Sequence, residues 1–95
     1  MANRIDEDTD VLLKAFITLK NEEECLNFLK DLCTVKEIQD MAQRLKVAFL
    51  LDEKMTYAEI AEQTGVSSAT INRVNNSLRY GSSGYREVID NLRNL

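Results

Sequence analysis

The run Ser67-Ser68-Ala69-Thr70-Ile71-Asn72-Arg73-Val74-Asn75-Asn76-Ser77-Leu78-Arg79 is rich in hydroxyl, carboxamide and guanidinium groups, which make directed hydrogen bonds. At helical spacing its outward face starts with Ser67, Ser68 and Ala69 and continues with Asn72, Arg73 and Asn76, while Ile71 and Val74 turn inward. Short polar groups followed by longer donors suit a helix that enters a DNA major groove amino end first. On that reading Ser68, Ala69 and Asn72 reach base edges, flanked by Ser67 and Asn76. Thr70, Arg73 and Arg79 are phosphate contacts that set register. No acid stands between Glu62 and Glu87, so this segment is locally basic although the chain carries a net charge of −4. Salt screens charges more than about 10 Å away, so a local basic face still attracts phosphate. A solvated arginine face fits the charge count almost as well; charge alone does not decide.

Other chemistries find few residues to run on. Histidine is absent, which removes the commonest general base and metal ligand. Tyr57, Tyr80, Tyr85 and the carboxylates form no nucleophile–base–orienter set, and no metal-ligand spacing emerges, so the chain is not expected to be an enzyme. Cys25 and Cys33, the two cysteines, are no secreted disulfide framework; eight residues apart among Leu26, Phe28, Leu29 and Leu32, they are expected to be buried structural thiols. No aromatic surface for stacking single-stranded bases is evident.

The elements that must position this face come next. Tyr57 to Val74 has the spacing of a helix-turn-helix, spanning about 57–79. Ala61 is small where the second helix crosses the first. Gly65 can take the positive φ that ends one helix and turns sharply. Val66 plugs the turn, and Ile71 and Val74 face Ile60 and Ala61. Ser67 caps the second helix, whose amino end then carries free N–H groups and a positive dipole.

Elsewhere proline is absent and the glycines are Gly65, Gly81 and Gly84, which favours long helices. Helix starts are signalled by Asn21 with Glu24, Thr34 with Glu37 and Thr56 with Glu59. Apolar periodicity predicts helices near 9–20, 22–33, 35–52, 57–64, 68–79 and 85–94, and no strand. The fold class is therefore all-α, six helices in a single domain over 1–95. The helix over 35–52 is apolar on every side from Val47 to Leu51. One neighbouring surface cannot cover such a stretch, and a 95-residue chain has little core to spare. A second copy wrapped around it, in an intertwined homodimer, is favoured over a compact monomer. The longest apolar run is far short of the roughly 20 residues of a membrane span, and the opening segment has no hydrophobic leader. A cytoplasmic protein with no membrane partner is expected.

At Ala69 to Arg79 the sequence resembles the recognition helix of the Trp repressor family, most closely its Trp-repressor-like YerC/YecD-type group. The resemblance extends from about Leu32 to Leu92. It implies an intertwined all-helical homodimer that presents two recognition helices to successive major grooves. Its operator would be a pseudo-palindrome in double-stranded DNA, with half-sites about 34 Å apart, as for helix-turn-helix dimers generally, the Trp repressor among them. The resemblance also implies a corepressor pocket. Arg44 and Arg73 match the two arginines that flank the bound indole, Arg73 also the one that pairs with the ligand carboxylate, and Thr34 and Ser77 match two further pocket positions. Guanidinium planes do stack on aromatic rings and fork onto carboxylates. The departure is Val74, where the family has glycine: its isopropyl group takes space the ring would use, which argues against L-tryptophan or a similar corepressor. The loop around Glu53 and Lys54 is also one residue shorter.

A second class of function is a helical protein-interaction module docking on a partner such as transcription machinery. The helix over 57–64 carries Glu59 and Glu62 and no basic residue, which suits phosphate poorly, although Glu59 has a capping role. Salt dependence separates the two classes, because DNA binding weakens steeply as salt rises.

Overall fold

The computed structural model describes residues 6–95. Met1–Ile5, part of the opening segment behind the expectation of no leader, lie outside them. Six helices follow in order: α1 Glu7–Ile17, α2 Glu22–Leu32, α3 Val35–Asp52, α4 Tyr57–Thr64, α5 Ser68–Tyr80 and α6 Gly84–Arg93. No strand occurs among the described residues, in keeping with the all-α expectation.

The helix starts follow the caps. Thr34 Oγ1 accepts the Glu37 N–H at 3.1 Å while Glu37 Oε1 accepts the Thr34 N–H at 2.8 Å. Thr56 and Glu59 make the same reciprocal pair at 3.1 and 2.9 Å. Asn21 Oδ1 accepts the Glu24 N–H at 2.9 Å, but Glu24 reaches back one residue further, to the Lys20 N–H. That bond explains one difference from the expected bounds. Lys20 is drawn into the cap of α2, and the Thr18 hydroxyl donates to the Ala15 carbonyl at 2.7 Å, so α1 stops at Ile17 rather than at 20. It also starts earlier, because Asp6 accepts the Thr9 N–H at 2.7 Å.

The chain divides into two compact units, Met1–Ile38 and Gln39–Leu95. In the first, the Phe16 and Phe28 rings meet edge-on with centroids 5.2 Å apart. Neither α1 nor α2 contributes a buried residue. Cys25 and Cys33 are free and only half-buried, not the enclosed thiols expected, since α2 has no buried face to enclose them.

The second unit holds the core: Val47, Ala48, Leu51, Ile60, Val66, Ile71, Val74 and Ile89. Phe49, Leu50, Met55, Ala61, Leu78 and Tyr85 pack around it. Of the all-round apolar stretch Val47–Leu51, Val47, Ala48 and Leu51 are thus buried within their own chain, while Phe49 and Leu50 remain half-buried. The uncovered apolar side chains lie elsewhere, Val11, Ile17, Leu26, Leu32 and Val35 among them. At the end of α3, Asp52 receives the Arg93 guanidinium and has Arg86 Nη2 2.6 Å from its Oδ1, which ties α6 to α3. Arg93 also sits 5.4 Å over the Phe49 ring. Burial alone would raise the Asp52 pKa, but the Arg93 hydrogen bond and the charges of Arg86, Arg93 and Arg79 outweigh it and hold the carboxyl below its ordinary value. Among the described residues no helix is long and apolar enough to cross a membrane.

Candidate nucleic-acid interface

The turn between α4 and α5 is built from short-range bonds. Gly65 sits at φ +74°, in the left-handed region, and its N–H donates to the Ala61 carbonyl at 2.8 Å. A Cβ there would meet nothing within 4 Å, so the requirement is one of backbone conformation, not of space. Thr64 donates its hydroxyl to Ile60 O at 2.7 Å and accepts the Val66 N–H at 3.2 Å. Gln43 Nε2 on α3 donates to Thr64 O at 3.1 Å, fixing the turn to the core helix. Val66 is buried in the turn as expected, and Ile71 and Val74 are buried against Ile60.

This packing aims the other face of α5 at solvent. Ser67, Ser68, Ala69, Asn72, Arg73, Asn76 and Arg79 are exposed, and Thr70 is half-buried. The hydroxyls are not all idle. Ser67 Oγ accepts the Thr70 N–H at 3.2 Å and donates to Thr70 Oγ1 at 3.2 Å, so this pair caps the helix. The helix amino end faces outward with no acid in its first turn. Arg79 Nε is held by Asn75 Oδ1 at 3.2 Å. Asn72 is met by a partner that sequence reasoning missed: the Tyr57 hydroxyl donates to Asn72 Oδ1 at 3.3 Å. Fifteen positions separate the two, and no periodic signal links them. On α4, Glu59 is occupied by its cap; the Thr56 N–H and hydroxyl bound to it hold its carboxyl below the usual range.

Three of the four residues that the family resemblance matches to a corepressor pocket are brought together. Arg44, Arg73 and Ser77 line a hollow of about 110 Å³ with Val74 and Tyr85. Arg44, Arg73 and Val74 also border a cleft of about 350 Å³ with Asp40, Gln43 and the Gly65–Ser67 turn. Thr34 belongs to the first unit, where its hydroxyl caps α3. Val74 is 2% exposed, so its isopropyl group is core as well as cleft wall. No group of His, Cys, Asp and Glu side chains that could hold a metal ion occurs among the described residues.

Comparison with known proteins agrees with this geometry. The Trp repressor protein family matches residues 7–93. The protein YerC of Bacillus subtilis (strain 168) is 45% identical over 87 residues, covering 92% of this chain and 84% of its own. A Trp operon repressor homolog of Chlamydia trachomatis serovar L2 is 35% identical over 81 residues, covering 80% of this chain and 86% of its own. The crystal structure of a TrpR-like protein from Eubacterium eligens ATCC 27750 superposes with a TM-score of 0.87 at 44% identity, over 93% of this chain and 91% of that one. The chain therefore belongs to the Trp repressor family, in its Trp-repressor-like YerC/YecD-type group, a family of helix-turn-helix DNA-binding regulators and not of enzymes.

Proposed function

We propose that this chain is a sequence-specific, repressor-like transcriptional regulator that binds a pseudo-palindromic operator in double-stranded DNA as a homodimer in the cytoplasm. The observation that carries the reading is the exposed, acid-free face of α5, capped at its amino end and seated on a buried seam of Ile71 and Val74. Ser68, Ala69 and Asn72 read base edges; Thr70, Arg73 and Arg79 hold phosphates, with Ser67 and Asn76 at the margins.

The homodimer is supported by what one chain leaves uncovered. Val11 is 66%, Ile17 84% and Val35 69% exposed, and α1 and α2 bury nothing. Two helices with no buried residue have no core of their own, and a second copy supplies the missing surface. Arg44, Arg73 and Ser77 form a pocket suited to a small anionic effector, and Val74 turns it away from an indole ring.

Selection of bound duplexes from a random pool, with and without L-tryptophan, tests the reading. The expected product is a two-fold-symmetric consensus that is the same in both arms and whose binding weakens steeply with salt. Recovery of no consensus, with binding to protein partners instead, would support the interaction-module alternative.

A further inference from the structure

Two hollows of the second unit meet at Ser77 and Tyr85, which line both. The smaller, of about 110 Å³, is bordered by Arg44 and Arg73. The larger is a groove of about 570 Å³ walled by residues of α3, α5 and α6, with Leu45, Tyr85 and Val88 as its apolar side chains. Leu45 is half-buried and Val88 is 44% exposed, so the chain itself covers this apolar surface only in part. Gly84 leaves the groove open, since a Cβ there would meet nothing within 4 Å. Among the described residues no acid lines either hollow. Apolar surface beside a pair of cations complements a molecule with an apolar body and one anionic end. No carboxylate waits there for an ammonium group, so a carboxylate without an amine fits better than an apolar amino acid.

We infer that the two hollows form one site for an aliphatic carboxylate, its chain in the Leu45–Val88 groove and its carboxylate on Arg44 and Arg73, and that filling this site weakens the hold on DNA. The inference rests on the function proposed above; it names the class of the small anionic effector and the sign of its action. Guanidinium groups take a carboxylate through two parallel N–H bonds. A chain in the groove avoids Val74, which lines the smaller hollow but not the groove. The sign follows from Arg73, which serves both the pocket and the phosphate contacts. Once a carboxylate offsets its charge and occupies its donors, Arg73 holds phosphate less well. The ligand is therefore an inducer that releases the operator.

The test titrates sodium octanoate into the whole chain by calorimetry, with octanol, acetate and L-leucine alongside. Octanoate should bind at least about tenfold tighter than each of the others, and lengthening hexanoate to octanoate should tighten binding by up to about fourfold per methylene. Gly84→Leu fills the groove from a position with room for a side chain, and Val88→Asn makes its wall polar. Each should weaken octanoate by about tenfold and leave operator binding as in wild type. Arg44→Met keeps the stem without the charge and should bring octanoate and octanol toward equal affinity. Saturating octanoate should weaken operator binding severalfold and lower its salt slope by about 1, as Arg73→Ala does, and should do neither in Gly84→Leu. Octanoate binding that both groove variants leave intact, or that octanol equals, overturns the site. Absence of octanoate binding, as when a second copy fills the groove, overturns it too. Operator affinity unchanged by saturating octanoate overturns the inducer role. Each of those failures leaves operator binding without octanoate standing, whereas a folded wild type that selects no duplex overturns the DNA-binding reading and the inducer role together.

Discussion

Replacing Val74 by glycine puts the core and the effector pocket in one experiment. The side chain is 2% exposed and packs with Ile60 and Ile71, so the substitution removes three buried carbons at about 0.8 kcal/mol each. Glycine within a helix adds about 1 kcal/mol, giving a loss near 3–4 kcal/mol. Small domains have about 5–15 kcal/mol in all, so the variant should fold but with a thin margin. Val74→Ala keeps the Cβ and the helix propensity and should lose about 2 kcal/mol, which secures a folded comparison. Urea unfolding at fixed protomer concentration should show the midpoint falling by about 1–3 M for glycine. Titration calorimetry should show L-tryptophan binding at least about tenfold tighter than to wild type, because the wall that both Arg44 and Arg73 border has been cut back. A stability loss under about 1 kcal/mol would mean Val74 is not core. Absence of any binding gain in either variant would refute the steric account of the pocket.

Three further perturbations address the interface and its support. Arg73→Ala should weaken binding to all sequences alike and lower the salt slope by about 1, whereas Asn72→Ala should change base preference at one position per half-site; equal, sequence-independent losses would defeat this division of roles. Asp52→Asn should cost about 1–2 kcal/mol at neutral pH by loosening α6 from α3. Because the folded carboxyl titrates below the unfolded one, that contribution is present above about pH 4 and fades as pH falls through the folded value. Thermal midpoints of the two proteins should converge in acid, and a constant gap would count against the ion-pair account. Gly65→Ala should cost about 1–2 kcal/mol from left-handed backbone strain alone, and Gly65→Asn less, since asparagine tolerates that region; equal losses in a denaturation series would point to a steric cause.

Much of this molecule is written in short-range spacing. Thr34 with Glu37 and Thr56 with Glu59 cap their helices through atoms three residues apart, and α3 and α4 keep the bounds that spacing predicts. The Gly65 turn, the Ser67 cap and the Ile71–Val74 seam were legible for the same reason, and with them the outward face of α5. The ends of α1 were less so, because the Thr18 and Lys20 bonds compete with an apolar pattern that continues to Leu19. The convergence of Arg44 with Arg73 was suggested only by family resemblance, and periodicity alone does not bring positions so far apart together.

What the chain alone determined, then, was helix class, the limits of α3 and α4 and which face of α5 is polar, since these depend on neighbours within one or two turns. Tertiary packing decided the rest: that Val47, Ala48 and Leu51 are buried in the core while α1 and α2 bury no residue, and that the Tyr57 hydroxyl reaches Asn72. Those outcomes depend on how helices cross, and crossing is set by the summed fit of many side chains rather than by any local pattern.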